Sequence, residues 1–355
     1  MRIIHTSDLH IDSPLSSKLP QAKVAERRRE HATLLRRLAE EADRAGAEAV
    51  IIAGDMFDSE RLNKKNRDRA LSVIEQASHI TFFYLIGNHE GDVLRAGGEL
   101  PENLKLFESD WTSYELGGVT VVGRSETAPD MFSHLSLNPG QLNVAVLHGE
   151  IRDRSDFGGV IGARDAADRG LDYLALGHYH SYSETPIDRR AVAVYSGTPE
   201  GRGFDETGDK GYVLLDIENG QIHRKFVKFA NRTLHIAEID ISEAINTYEI
   251  SRLIERKISN IPSCDLVRVR LVGHYAPEFK KDLGAIADEF SRRFYFFEIK
   301  DESRLYHAPE SYKNDKSLKG EFIRLVLSDE GLSEREQERI IAFGLSALVG
   351  EAYDE

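Results

Sequence analysis

Five short polar clusters in the first half of the chain each follow an apolar run, and this pattern limits the possible folds more than any other feature. The runs, such as residues 49–53, have the composition of strands that are buried on both faces. In open α/β sheets, ligands gather at the carboxyl ends of the strands. The pattern therefore predicts an α/β fold with one site. The clusters are Asp8-Leu9-His10, Gly54-Asp55-Met56-Phe57-Asp58, Gly87-Asn88-His89-Glu90, Leu147-His148-Gly149 and Gly177-His178-Tyr179-His180.

The hydrophobic periodicity predicts two folded parts and a tail. In residues 1–230 it predicts strands at 2–6, 49–53, 80–86, 103–107, 119–123, 143–147, 173–176, 192–195 and 212–217. Helices are expected at 24–44, ending at Gly46, and, after a basic loop at 61–69, to about residue 77, with helix-like spacing at 165–170. Residues 231–301 predict a β-α-β-α-β unit with strands at 234–241, 266–272 and 295–299 and helices at 242–258 and 280–293. Residues 302–355 predict a linker, to about 315, and two helices, at 318–327 and 333–351.

The composition excludes several classes of protein. Cys264 is the only cysteine, which excludes an internal disulfide framework and a cysteine-based zinc site. No apolar run approaches the roughly 20 residues that span a bilayer. The N-terminus enters a strand pattern at once, so we expect no secretory signal and a cytoplasmic location. The net charge of −14 argues against a broad basic surface for nucleic acid, although bound divalent cations would add positive charge among the acidic ligands.

The five clusters contain the ligand types that a dinuclear site for divalent ions needs. Carboxylates, imidazoles and carbonyl oxygens suit such ions, and one group has to be shared between them. The carboxylate of Asp55 has two oxygens and can reach two ions, while Asn88 offers an amide oxygen. Seven candidate ligands leave positions open for water and a phosphate. They are Asp8, His10, Asp55, Asn88, His148, His178 and His180.

The order and spacing of these clusters resemble the calcineurin-like metallophosphoesterase superfamily. Within it, the chain is most similar to the SbcD-type DNA repair nucleases, and closer still to their YhaO-like bacterial relatives. The resemblance covers most of the chain. Beyond the clusters, it is carried by His5-Thr-Ser-Asp-Leu-His-Ile-Asp-Ser-Pro-Leu15, Tyr195-Ser-Gly-Thr-Pro-Glu-Gly201, Glu206-Thr-Gly-Asp-Lys-Gly211 and Glu321-Phe-Ile-Arg-Leu-Val326.

The resemblance implies how the ligands divide between two ions, which we expect to be Mn²⁺, with Mg²⁺ as the other possibility. One ion takes Asp8, His10, Asp55 and His180, and the other takes Asp55, Asn88, His148 and His178. His89 is the expected catalytic residue that orients the phosphate and protonates the leaving group. Asp58 stands where some relatives carry a histidine, so it is either catalytic or orients a ligand.

The resemblance also implies a fold, an activity and partners. We expect a four-layer α/β/β/α sandwich over residues 1–230, a small α/β capping domain over 231–301, and C-terminal helices that either complete the core of the second domain or dock a partner. The implied activity is a DNA nuclease, acting as an exonuclease on double-stranded ends and an endonuclease on single strands. The implied partners are DNA, a second copy of the chain and an ABC-type ATPase with long coiled coils.

Two different functions remain compatible with the same residues. The chain could instead be a phosphodiesterase or phosphatase for small nucleotides or phosphoproteins, or a non-catalytic subunit that binds DNA ends. The basic residues after the first two clusters are either solvated helix faces or a rim that holds nucleic-acid backbone. Tyr179 and Tyr182 either stack on a base or simply pack. The candidate nucleic-acid contacts are Arg27, Arg28, Arg61, Lys64, Lys65 and Arg67.

Overall fold

The computed structural model describes residues 1–15, 19–58, 64–86, 94, 99–155, 158–275, 279–305, 315–329 and 331–349. The chain divides into two compact units, Met1–Leu234 and His235–Glu355. This boundary lies near the predicted one at residue 230. The further division of the second part at residue 301 stays a prediction.

The described residues of the first unit form two six-stranded sheets with flanking helices. In the first sheet the strands run in the order β14-β13-β1-β2-β3-β4, and in the second they run in the order β11-β12-β10-β7-β6-β5. A 3-10 turn at Met131–His134 precedes β7. The elements are β1 (Arg2–Thr6), α1 (Gln21–His31), α2 (Leu34–Ala45), β2 (Ala49–Ile52), α3 (Lys64–Gln76), β3 (Thr81–Leu85), β4 (Leu104–Phe107), β5 (Thr112–Leu116), β6 (Val119–Gly123), β7 (Leu142–His148), β8 (Glu150–Arg152), β9 (Val160–Gly162), α4 (Ala163–Ala166), β10 (Tyr173–Gly177), β11 (Ser183–Pro186), β12 (Val192–Tyr195), β13 (Gly211–Glu218) and β14 (Gln221–Lys228).

The first unit is layered, because alternate residues of its central strands face opposite sides. On the outer face of the first sheet, Ile4 and Val50 pack with Leu38 of α2. On its inner face, Ile3 and Ile51 join apolar residues of the second sheet in a core between the sheets. A thinner outer layer, formed by the 3-10 turn and α4, covers the far side of the second sheet. The expected four-layer α/β/β/α sandwich is confirmed.

The second unit has its own core. Its three-stranded sheet has the order β15-β16-β18, and Ile250 of α5 and Ile286 of α6 pack on one face of it. The C-terminal helices α7 and α8 bury Ile323 and Leu345 in a separate small cluster. The elements are β15 (Leu234–Asp240), α5 (Thr247–Ile258), β16 (Leu266–Val272), β17 (His274–Tyr275), α6 (Leu283–Ser291), β18 (Phe296–Asp301), β19 (Arg304–Leu305), α7 (Leu318–Leu327) and α8 (Glu334–Val349).

Two sequence expectations are corrected. The helix expected at 24–44 is two helices, α1 and α2, because the Thr33 hydroxyl donates to the Glu30 carbonyl at 2.8 Å and so competes with the backbone ladder. The expected strands omitted β5, β11 and β14, which lie at sheet edges. These strands are largely polar and half-exposed, so they show no run of buried residues.

Among the described helices, none combines the length and apolar composition that crossing a membrane requires.

Candidate metal centre

The clusters that follow β1 and β2 are joined by backbone hydrogen bonds just beyond the strand ends. The N–H of Asp8 donates to the Gly54 carbonyl at 3.2 Å, and the N–H of His10 donates to the Asp55 carbonyl at 3.0 Å. The second sheet is tied to the same point, since the His178 N–H lies 3.2 and 3.1 Å from the two carboxylate oxygens of Asp8. Three clusters separated by up to 170 residues therefore meet around one buried carboxylate.

Two glycines allow the His148 ring to approach the backbone of the first sheet. Its Nδ1 atom lies 2.9 Å from the carbonyl of Ala53. A Cβ atom on Gly54 would lie 2.3 Å from that Nδ1, and a Cβ atom on Gly177 would lie 2.0 Å from the Ala53 carbonyl oxygen. Both glycines are therefore required by close packing. With Nδ1–H donating to a carbonyl, Nε2 of His148 is the nitrogen left for a ligand role.

The backbone is strained at several of the predicted ligands. Non-glycine residues rarely adopt positive φ, and such strain concentrates at functional sites. In the described part of the chain seven non-glycine residues do so, and four of them are predicted ligands: Asp8 (51°), His10 (42°), Asp55 (49°) and His178 (111°). The strain is therefore concentrated where the five-cluster pattern placed the site.

Five predicted ligands come close enough together to hold metal. Ligand atoms of Asp8, His10 and His180 lie within 4.8 Å of one another, as do those of Asp8, Asp55 and His148. Oδ2 of Asp55 lies 3.8 Å from Nε2 of His10 and 3.7 Å from Nε2 of His148. With metal–ligand bonds of roughly 2.1 Å, two ligand atoms of one octahedral ion are about 3.0–4.2 Å apart. The distances of 3.8 and 3.7 Å from Oδ2 of Asp55 lie within this range.

Nε2 of His10 gives an independent test of that fit. It is buried and has no hydrogen-bond partner, which is costly unless another group binds it. The sharing of Asp55 between His10 and His148 agrees with the bridging role that the resemblance implies. The division of ligands that the resemblance implies assigns Asp8 to one ion only. In the structure, Asp8 lies near the ligand atoms of both groups.

Of the other two predicted ligands, His178 is not among the residues whose ligand atoms lie within 4.8 Å of one another, and Asn88 lies outside the described residues. His178 is exposed, and its ring centroid lies 5.6 Å from that of His148, whereas the rings of His10 and His180 lie 5.4 Å apart. The two histidines of the Gly177–His180 cluster thus pair with different partners. Asn88 and the candidate acid His89 lie outside the described residues.

Hydrogen bonds control the charge of His180 and Asp8. Hydrogen bonds to Asp8 and Glu206 raise the pKa of His180 to about 9, so a cation that binds Nε2 has to displace a proton. Burial alone would raise the pKa of Asp8, but the hydrogen bond with His180 and the charge of His148 hold it below its ordinary value. Burial, together with the Arg202 charge, lowers the pKa of His10, which favours the neutral imidazole.

Several polar residues that support the ligands were not singled out from the sequence. Glu206 lies 2.8 Å from Nδ1 of His180, Lys210 donates to the His180 carbonyl at 2.6 Å, and Thr198 donates to the Asp8 carbonyl at 2.9 Å. They lie in the segments 195–201 and 206–211, which contributed to the resemblance without an assigned role. Residues 196–200 also follow β12, so the rule of polar residues after a strand could have identified them.

Asp58 lies beside a ligand. Its Oδ1 is 3.1 Å from Nδ1 of His10 and 3.5 Å from a guanidinium nitrogen of Arg202, and its N–H donates to Asp12 at 2.6 Å. This placement favours the orienting role among the two that the sequence left open.

The side chains of two predicted nucleic-acid contacts are buried, which argues against their contact with DNA. Arg27 is 2% exposed and Arg67 is 5% exposed, and both are engaged by carboxylates. Lys64, Lys65 and Arg28 are exposed, although Arg28 donates to the Pro14 carbonyl at 2.9 and 2.6 Å. Arg61 lies outside the described residues.

Tyr179 and Tyr182 are partly exposed and also pack against other rings. The Tyr179 ring lies 4.9 Å from that of Tyr195, and the Tyr182 ring lies 4.8 Å from that of Phe226. Packing accounts for both contacts without a base.

Two known proteins are similar to this chain in sequence. The chain is 28% identical over 306 residues to the uncharacterized metallophosphoesterase YhaO of Bacillus subtilis, covering 79% of this chain and 73% of that protein. It is 24% identical over 282 residues to the DNA double-strand break repair protein Mre11 of Methanosarcina acetivorans, covering 74% of this chain but only 44% of Mre11.

Two solved structures match this chain with low TM-scores. The protein TT1561 of Thermus thermophilus gives a TM-score of 0.42, and a dimetal phosphatase from Danio rerio gives 0.38. Each is 12% identical and covers 64% of this chain and 99% of its own. Residues 1–182, just over half of the chain, match the calcineurin-like phosphoesterase family. With that match, and with the strand-end clusters gathered around Asp8 as described, the chain belongs to the calcineurin-like phosphoesterase family.

Proposed function

We propose that this metallophosphoesterase is a DNA nuclease that hydrolyses phosphodiesters with two divalent metal ions. The observation that carries the proposal is the length of the similarity to the DNA repair protein Mre11. That similarity extends over 282 residues, whereas the phosphoesterase family accounts for residues 1–182. The relationship therefore includes chain beyond the family segment. A shared metal site alone does not account for a similarity of that length.

The resemblance, together with the described ligands, suggests how the site would work. Asp8, His10, Asp55 and His180 would hold one ion, and Asp55, Asn88, His148 and His178 the other. When bound, the ions supply Lewis-acid activation of water and neutralise phosphate charge. The Asp55 side chain is 42% exposed, which gives a phosphodiester access to the centre. His89 would protonate the leaving oxygen.

The direct test compares Mn²⁺-dependent cleavage of linear duplex DNA with cleavage of a small chromogenic diester. We expect both activities, and both should be lost in D55N. The matched control is D172N, since the Asp172 carboxylate pairs with Arg190 and precedes β10, at the opposite end of that strand from His178. Cleavage of the diester without any cleavage of single- or double-stranded DNA would refute the nuclease proposal.

The second candidate is a phosphodiesterase for small nucleotides. It is favoured by the net charge of −14 and by the burial of Arg27 and Arg67, which removes two cations from the surface available to DNA. Salt dependence separates the candidates, because each DNA phosphate neutralised by the protein adds about 0.9 to the slope of log affinity against log salt. A slope near zero with a cleaved nucleotide substrate would favour this candidate.

The remaining proposals concern His89 and the partners. H89N should abolish DNA cleavage while Mn²⁺ binding measured by calorimetry stays close to that of the wild type; preserved cleavage would exclude His89 as the acid. We also propose a homodimer, for which light scattering at micromolar concentration is the test. Association with a coiled-coil ATPase can be tested by a pull-down followed by mass spectrometry.

A further inference from the structure

A single guanidinium group lies behind two of the candidate metal ligands. Arg202 donates from Nε and Nη2 to Oε1 of Glu206 at 2.9 and 2.6 Å, and its backbone N–H donates to Oε2 at 2.7 Å. Its Nη1 atom lies 3.5 Å from Oδ1 of Asp58. Glu206 and Asp58 in turn face Nδ1 of His180 and Nδ1 of His10, at 2.8 and 3.1 Å. Arg202 therefore contacts both of the carboxylates that face the Nδ1 atoms of His180 and His10.

We propose that Glu206, held by Arg202, is the positioning residue that makes Nε2 the metal-binding nitrogen of His180. This inference rests on the metal centre proposed above. A neutral imidazole carries one proton, and the hydrogen bond made by one nitrogen decides which nitrogen is left for a ligand. If Nδ1–H donates to Glu206, Nε2 is available, and it already lies 3.6 Å from Oδ1 of Asp8.

The surroundings of Nδ1 contain a competing donor, which is why the carboxylate matters. Nη2 of Arg202 lies 3.2 Å from Nδ1 of His180. Without an acceptor at Glu206, Nη2 of Arg202 could donate to Nδ1 of His180, and the proton of the imidazole would then occupy Nε2. Glu206 accepts from the guanidinium and the imidazole with the same oxygen, Oε1. It thus engages the guanidinium and keeps the proton on Nδ1.

The segment that contains Glu206 contacts His180 at a second point. Lys210 donates to the His180 carbonyl at 2.6 Å, and Glu206 and Lys210 are only 5% and 3% exposed. The ring and the backbone of one residue are thus fixed by two side chains four positions apart. Partners that orient a metal-binding histidine change metal affinity by roughly 10- to 100-fold when they are replaced.

Glutamine at position 206 is a sharp probe because it has nearly the shape of glutamate. If its carbonyl oxygen replaces Oε1, its amide group faces the backbone N–H of Arg202, so two donors meet. If it flips, the amide group faces the guanidinium and the imidazole proton. Either orientation disturbs His180, whereas E206D retains a carboxylate and should restore part of the affinity.

The experiment is calorimetric titration of the full chain with Mn²⁺, without substrate. We expect the wild type to bind two ions, E206Q to bind one of them about 10- to 100-fold more weakly, E206D to fall between, and R202M to weaken the same ion. D172N, which alters an Arg–carboxylate pair with Arg190, should bind both ions like the wild type. Melting temperatures in EDTA identify any variant that fails to fold, in which case E206D and R202M decide.

The outcomes separate this inference from the proposed function. A wild-type chain that binds no Mn²⁺ overturns the metal centre itself. Two ions bound equally well by wild type, E206Q and R202M overturn only the role of Glu206. ¹⁵N spectra of histidine-labelled protein loaded with a diamagnetic ion supply the direct signature: the proton of His180 should be on Nδ1 in the wild type.

Discussion

Replacing Arg27 with methionine tests whether the first basic helix supports the fold or binds nucleic acid. The guanidinium is 2% exposed. It donates to Glu30 at 2.6 Å, twice to Glu200 at 3.1 Å, and to the Gly201 carbonyl at 2.7 Å. Removing one partner of a buried ion pair typically destabilises a protein by about 3–5 kcal/mol. Since methionine has nearly the helix propensity of arginine, the change isolates the side-chain contacts.

The remaining partners of Glu200 place the expected loss at the lower end of that range. Glu200 is fully buried but keeps Arg37 at 3.1 Å and the backbone N–H of Asn231 at 2.8 Å, so its carboxylate is not left without donors. We therefore expect R27M to lose about 3 kcal/mol. For a unit the size of Met1–Leu234, this loss lowers the melting temperature by roughly 6–12 °C.

The assay can be confined to the unit that contains Arg27. Trp111 is the only tryptophan of the chain and lies in the first unit, where its indole donates to the Met131 carbonyl at 2.9 Å. Its fluorescence therefore reports the unfolding of this unit. The matched control is R29M on the same helix, at an exposed position, which should change stability by no more than about 0.5 kcal/mol. Equal melting temperatures for R27M and R29M, with DNA binding lost only in R27M, would refute a structural role for the buried pair.

Three further predictions concern the centre, the pH dependence and the surface. G54A should weaken Mn²⁺ binding by at least about tenfold in calorimetry, because the added Cβ atom would lie 2.3 Å from Nδ1 of His148. Burial, with the charge of Arg27, lowers the pKa of His31 to about 3, so unfolding takes up a proton below pH 6.5 and stability falls as the pH falls from 6.5 towards 3. When the pH is lowered from 7.0 to 5.5, the free energy of unfolding measured with urea should therefore fall by about 1.3 kcal/mol less for H31Q than for the wild type. K64A should reduce the salt slope of DNA binding by about 1 in a filter-binding titration, since Lys64 is exposed at the start of α3.

The sequence could predict the ligands because their signal is local. Each cluster follows its own strand, and the parallel pairing of β1 with β2 and of β7 with β10 brings the strand ends together. Asp8, His10, Asp55, His148 and His180 could therefore be found without knowing any distance. The sequence could not show that Asp8 is shared between two groups of ligand atoms, because this depends on the direction in which its carboxylate points after the chain turns.

The role of Arg27 could not be predicted from the sequence for the opposite reason. A basic run on a helix has the same composition whether its arginines face solvent or a buried carboxylate. The partner that decides the matter, Glu200, lies 173 residues away in the chain. The edge strands β11 and β14 were missed on similar grounds, since their polar residues become strands only through pairing with β12 and β13.

The contacts of Asp8 and Asp55 determine which aspartate variant tests the metal centre most cleanly. The N–H of Asp8 donates to Gly54, its carbonyl accepts from Thr198, and its carboxylate accepts from the His178 N–H. D8N leaves the two backbone hydrogen bonds in place but alters the carboxylate that faces the His178 N–H and Nε2 of His180, so we expect it to lower the melting temperature measured in EDTA. The Asp55 carboxylate is 42% exposed and faces the imidazoles of His10 and His148, so D55N should keep the wild-type melting temperature and lose affinity for both ions. Loss of only one ion in D55N would show that Asp55 does not bridge, and would shift the shared position to Asp8.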